Sequence, residues 1–457
     1  MKEALRLAPV LTLSRLKTRR GDAWLDLLAI VSFALSTLMA LTVAGGIWMF
    51  IGWRTHPTPE MMHVAASAWG YGDTDGVFSL YVSLAYVAGA LLVFPIFSLG
   101  ASAVRLGARG RSQRLASLRL VGLTSGQTLI ISLVETVIQW FIGTAIGLFA
   151  YGATLPFWRH VRFLEQPIRP SDMLLPTTAI FAVIGIVLLL ALSSTIAGLQ
   201  RIWISPLGVA RREVSPGLTV WRPIVFVLGI AAFVVWTRGA PSLTDSATYI
   251  ALAGMILVVV AGIALVGPWI LQLISTPLAI TRRVPRLLAA RRILDDPKAA
   301  WRNISGITLL CFIVGFVAVM PDQQDSALFQ HDVLTGIEIT LAFGFAVAAL
   351  STLMNQSSMI FDRARQTYAL AQIGFPHRVF SMTRVHQVMG PLLLATVASA
   401  ALGVLLSIAL STMPPSISGL WRITATLIAG LAMSAAALAA CEPLERRVLA
   451  SQRRAND

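Results

Sequence analysis

Long apolar runs, broken by short polar or basic segments, follow one another from one end of the chain to the other. A helix that crosses a bilayer needs about 20 mostly apolar residues. Ten runs fit, at about 25–51, 79–104, 127–152, 174–199, 223–237, 248–274, 303–320, 334–357, 385–411 and 423–441; the fifth and seventh are short. The pattern predicts an all-α integral membrane protein of about ten transmembrane helices.

Composition agrees. Of the 457 residues, 56% are hydrophobic and 12% charged, with a mean hydropathy of +0.76. Soluble domains carry about 25% charged residues, so a water-soluble enzyme is excluded. No short apolar core with a small-residue cleavage site opens the chain, so the first run is expected to be a retained span. Cys311 and Cys441 lie inside apolar runs and offer neither a disulfide framework nor a metal site.

The net charge of +15 acquires meaning from its distribution. With both termini placed on one side, 30 of the 36 Lys and Arg residues fall on that side, and only Arg54, Arg159, Arg162, Arg169, Arg238 and Arg422 on the other. Basic loops stay on the cytoplasmic side. The expectation is a multi-pass protein of the bacterial cell membrane, both termini cytoplasmic, its arginines at lipid headgroups rather than on nucleic acid.

A basic segment recurs. Arg111-Ser-Gln-Arg114-Leu115-Ala-Ser-Leu118-Arg119-Leu-Val-Gly122 precedes the third run, and Arg363-Ala-Arg365-Gln-Thr-Tyr368-Ala-Leu370-Ala-Gln-Ile-Gly374 precedes the ninth. At an offset of 252, Arg111 pairs with Arg363, Leu118 with Leu370 and Gly122 with Gly374. Each segment reads as a short amphipathic helix ended by a glycine cap. Residues 1–24 and 287–298 mix apolar and basic residues like helices lying in the interface. The expected organisation is an interfacial helix (1–24), a first half (25–212, spans 1–4), a linker with spans 5–6 (213–284), a second half (285–445, spans 7–10) and a basic tail (446–457).

The pattern Arg-x-x-Arg-x-Ala-x-Leu-Arg-x-x-Gly, followed by an acidic or polar residue in the next span and then small residues, resembles the FtsX-like permease domain of ABC transporters. Ile204-Ser-Pro-Leu-Gly-Val-Ala-Arg211-Arg-Glu resembles that domain's ending. The likeness covers spans 2–4 well and spans 7–10 more loosely. Two such domains in ten spans are most similar to the bacitracin-efflux type of permease, of the mechanotransmission (type VII) class. The resemblance implies a non-catalytic subunit served by a separate cytoplasmic ABC ATPase, two copies of which bind ATP and Mg and dock on the inner amphipathic helices; this chain itself takes no cofactor. It implies ATP-driven export or extraction of a drug, antimicrobial peptide or lipid drawn from the membrane. The alternative is a subunit that passes force to a cell-wall hydrolase or sensor kinase. The sequence departs from the family in lacking a large extracellular domain. Its second half is degenerate too, with Ala371 at the place of Arg119 and Gln387 at that of Glu135.

The docking residues expected are therefore Arg111, Arg114, Leu115, Leu118, Arg119 and Gly122, with Arg363, Arg365, Tyr368, Leu370 and Gly374: apolar groups to fill a groove and arginines to pair with acidic groups. The same arginines also satisfy the charge rule alone. Glu135 and Glu338 are ionisable residues inside spans, a costly placement that marks functional candidates, although each also fits a structural role. His56, His63, His160 and His331 share one side without ligand spacing. Asp295-Asp296 beside Pro297 reads as a helix end and turn. Gly143, Gly147 and the 398–403 run of Ala and Gly suit close helix packing.

Overall fold

The computed structural model describes residues 23–69, 74–120, 124–203, 221–239, 246–318, 327–410, 420–446, 448 and 450. Among them the chain is almost wholly helical: α1 Ala23–Thr55, α2 Pro59–Trp69, α3 Thr74–Leu120, α4 Ser125–Thr154, α5 Thr177–Trp203, α6 Trp221–Gly239, α7 Ser246–Leu278, α8 Val284–Asp295, α9 Pro297–Ala318, α10 Ala327–Asp362, α11 Ala364–Gln372, α12 His377–Leu410 and α13 Leu420–Ala440. Nine of these helices are long and apolar enough to cross a membrane, and α6 contributes a tenth, shorter apolar stretch, Trp221–Ala232. All ten coincide with the runs read from the sequence. The protein is an all-α, multi-pass membrane protein. The 1–24 segment and the Ile204–Arg211 motif lie almost wholly outside the described residues.

Two compact units form: Met1–Met49 with Val93–Arg162 and Pro167–Arg212, and Phe50–Leu92 with Phe163–Gln166 and Glu213–Asp457. Helices α6 and α7 fall in the second unit, where α7 packs on α8 and α9.

The first unit is built inside out. On α4, Ser132, Glu135, Thr136, Gln139 and Thr144 are buried while Val137, Phe141, Ile146 and Phe149 face outward, Phe149 being 80% exposed. Spacing of three and four residues puts the polar set on one face. Lipid solvates the apolar face, and the polar face needs protein partners because unmet hydrogen-bonding groups are costly there. Gln139 Nε2 donates to Asp26 Oδ1 at 2.8 Å, Thr136 and Thr195 hydroxyls meet at 3.2 Å, and those of Thr37 and Thr144 at 3.3 Å. Glycine lets α4 come this close to α1: a Cβ on Gly147 would stand 2.4 Å from the Ala34 carbonyl oxygen. Ala29, Phe33, Val104, Val187 and Ala191 complete the core.

In the second unit α9 is the central post, packed against α7, α8, α10, α12 and α13. Ile304, Ile307 and Leu310 on α9 are fully buried, with Val388 and Leu392 of α12 in the same core. Asp296 Oδ1 accepts from the Ala299 amide at 2.9 Å and so caps α9, whose first residue is Pro297. The Asp295-Asp296 pair therefore closes α8 and opens α9.

Candidate functional site

The two basic motifs take different local forms. The second folds as a separate helix, α11, ended by a complete glycine cap. Gly374 has φ of +98°, its amide donates to the Ala371 carbonyl, and the Phe375 amide donates to the Leu370 carbonyl. This six-to-one and five-to-two pairing requires the left-handed residue that glycine supplies without strain. The first motif instead continues α3, which runs unbroken from Thr74 to Leu120 through Arg111, Arg114, Leu115, Leu118 and Arg119. The backbone of these five is helical; Gly122 lies outside the described residues.

On α11 and its C-cap, Gln366, Ala369, Ala371, Gln372 and Ile373 face solvent, with Ile373 77% exposed. Ala364 and Thr367 face the body of the unit, while Tyr368 and Leu370 are half-buried. The most accessible apolar group is thus Ile373, which the sequence reading passed over. Arg365 is helical backbone in the same element.

Below α11 lies a cluster that pattern reading missed. Arg292 of α8, Arg363, Arg384 of α12 and Glu445 line a small cavity with Gln356, Thr367 and Gln387. Arg384 and Glu445, both nine-tenths buried, form an ion pair. Burial, then the like charges of Arg363 and Arg384, push the Arg292 guanidinium down to about 10, so it remains charged at neutral pH. Glu442 is engaged by Arg446 at 2.6 Å. Gln387, which the repeat aligned with Glu135, presents a buried amide nitrogen with no hydrogen-bond partner.

The two intramembrane carboxylates part company. Glu135 is buried on the polar face of α4, whereas Glu338 is exposed on α10. Six residues before Glu338, on a different face of the helix, Asp332 is buried instead. Its Oδ2 accepts from Tyr81 Oη at 2.7 Å and from the Leu164 amide at 2.8 Å. Leu164 and Glu165 form the two-residue turn of a hairpin between β1 (Arg162–Phe163) and β2 (Gln166–Pro167), with φ of 51° and 59°. Such a turn normally takes Asn-Gly; here burial of Leu164 and the Asp332 carboxylate hold it with ordinary side chains.

Of the histidines, His56 bonds the Thr55 hydroxyl and His160 the Phe157 carbonyl. Among the described residues no three His, Cys, Asp or Glu side chains gather as a cation site.

Residues 86–206 match the family described as FtsX-like permease C-terminal. The chain carries an FtsX-like permease domain. That match takes in the end of α3 with the first basic motif, the whole of α4 with Glu135, and α5. The permease domain is of the kind found in ABC transporter permeases and related subunits, normally non-catalytic, that work with an ABC ATPase. No curated protein matches the chain.

Proposed function

We propose that the chain is the membrane subunit of an ATP-driven ABC transporter, exporting or extracting an amphipathic or hydrophobic compound from the bilayer. The observation that carries this reading is the permease match over residues 86–206, which includes the first basic motif. A separate cytoplasmic ATPase, in two copies, binds ATP and Mg. It docks on the end of α3 through Arg111, Arg114, Leu115, Leu118 and Arg119, and on α11 through the face that bears Ile373. Both termini then lie in the cytoplasm, a placement that the distribution of the arginines supports. Short connections opposite the motifs favour a membrane-borne substrate over one captured by an outer domain, and for that reason transport ranks above force transmission to a wall hydrolase or kinase.

The test is co-expression with a candidate ABC ATPase from the same genome. Arg111→Ala, Arg114→Ala and Leu118→Ala together are expected to lower co-purification and stimulated ATP hydrolysis about tenfold or more, as loss of central interface anchors does. Ile373→Asp on α11 is expected to do less, since the second copy of the motif is degenerate. Undiminished co-purification and stimulation in the triple variant would sink the docking assignment. Deleting the gene then separates the two roles: a transporter leaves cells sensitive to a membrane-active compound, and an ATPase-dead partner fails to rescue them.

A further inference from the structure

One stretch of the second unit carries exposed positive charge without matching acids. The apolar stretch of α7 ends at Leu278, and that of α9 starts at Pro297. Between them and just beyond, Arg282, Arg283, Arg286, Arg291 and Lys298 are all exposed, while Arg292 lines the cavity. Two acids share the stretch, and both are in use. Asp296 caps α9, and the charge of Asp295 acts on Arg292. The helices packed on α8, namely α7, α9 and α12, carry no Asp or Glu. Glu445, which reaches the same cavity as Arg292, pairs with Arg384. Among the described residues, none of the five exposed cations takes part in an ion pair.

Apolar groups stand beside these charges. Ile280 is 83% exposed, with Leu278 and Val284 exposed on either side of it in sequence. The turn that presents them is well formed. The Ile280 amide donates to the Pro277 carbonyl at 3.2 Å, the Thr281 amide to the Leu278 carbonyl at 3.3 Å, and the Leu287 amide to the Arg283 carbonyl at 3.0 Å. Little backbone freedom is left to lose when a partner arrives. Both ends of the stretch run into apolar spans, so it stays at the bilayer surface. A water-borne acidic partner would answer the charges and leave Ile280 facing water. A bilayer answers both: apolar side chains enter the acyl boundary and guanidinium groups pair with headgroup phosphates.

We propose that the turn 279–284 and the exposed side of α8 form a contact surface for anionic phospholipid, anchored by Ile280 and drawn by Arg282, Arg283, Arg286, Arg291 and Lys298. An interfacial helix needs only a bilayer; this surface selects an anionic one. The proposal stands apart from ATPase docking, and its test needs no nucleotide.

The full chain is placed in nanodiscs of phosphatidylcholine and phosphatidylglycerol. Ile280→Cys carries a bimane label; Cys311 and Cys441 are buried, and wild type treated alike gives the background. Quenching by either lipid, spin-labelled on its acyl chain, is read at equal amounts. Each Lys or Arg near an anionic surface is worth about a fivefold gain in attachment. Phosphatidylglycerol is therefore expected to be enriched at the label about fivefold or more over phosphatidylcholine. Adding Arg282→Gln, Arg283→Gln, Arg286→Gln and Arg291→Gln to the labelled chain is expected to bring the two lipids near parity. Quenching by phosphatidylcholine should persist, which shows that the turn still meets the bilayer. Raising salt from about 0.1 M to about 1 M shortens the screening length from about 10 Å to about 3 Å and is expected to lower the preference in the same way. Equal quenching by the two lipids before neutralisation, or a preference that survives it, would overturn the proposal. So would a label that neither lipid quenches but that an added ABC ATPase shields from an aqueous quencher, since the surface would then belong to the ATPase.

Discussion

Gly403→Ala puts a single methyl group where α12 crosses α9. The new Cβ would stand 2.2 Å from the Phe312 carbonyl oxygen and 2.7 Å from the Phe316 amide nitrogen. Both are backbone atoms, so neither can swing aside. Ordinary Cβ contacts begin at 3.4 Å, so the two helices must part by about 1.2 Å (3.4 less 2.2) at this level. The same crossing is tight from the other side, where a Cβ on Gly315 would lie 2.2 Å from the Ala400 carbonyl oxygen. Separation loosens the best-packed pair in the second unit. Overpacking of this kind costs about 1–3 kcal/mol. Alanine returns up to about 1 kcal/mol through its better helix propensity. The net expectation is about 1–2 kcal/mol of destabilisation, a roughly 5- to 30-fold fall in the folded-to-unfolded ratio. Gly390→Ala, on the same helix with nothing within 4 Å, is the matched control and is expected to equal or exceed wild type. Unfolding by SDS in mixed micelles, followed by tryptophan fluorescence, reads both. If Gly403→Ala proves as stable as Gly390→Ala, the close crossing of α9 and α12 is wrong.

Two further outcomes follow from buried polar pairs. Arg384→Ala and Glu445→Ala should each destabilise by about 3–5 kcal/mol, because each strands a buried charge, while Arg384→Met with Glu445→Leu should recover most of the loss; a double-mutant cycle in the same unfolding assay measures it, and additive losses would refute the pairing. Tyr81→Phe removes the hydroxyl that donates to Asp332 and should cost about 1–3 kcal/mol, with local amide exchange at 163–166 rising as the hairpin tip loses order; unchanged stability and exchange would refute it.

The helices were legible because a bilayer imposes a length, and α1, α9 or α13 each show it as one unbroken apolar run. The cap at Gly374 was legible because few residues tolerate its φ. What stayed hidden was which way a side chain faces and what it meets. Glu338 and Asp332 are equally acidic and six residues apart, yet only Asp332 turns inward. Its partner Tyr81 is 251 residues away, beyond any periodic pattern. The cavity arginines were each visible, but as members of two separate loops obeying one charge rule. The continuity of α3 was missed for a local reason: Gly107 and Gly110 were free to break it, but an isolated glycine costs a helix only about 1 kcal/mol, and the helix runs on through both.

The contact between Asp26 and Gln139 also has a history in time. The partners are 113 residues apart in the chain. At about 5–20 residues per second of synthesis, α1 is made on the order of 10 s before α4 can answer it. During that interval a carboxyl group near the start of the first span has no amide from α4 to receive. Membrane insertion of α1 is therefore provisional until α4 emerges. Replacing Gln139 should leave its mark first on the yield of inserted protein, before any property of the finished molecule.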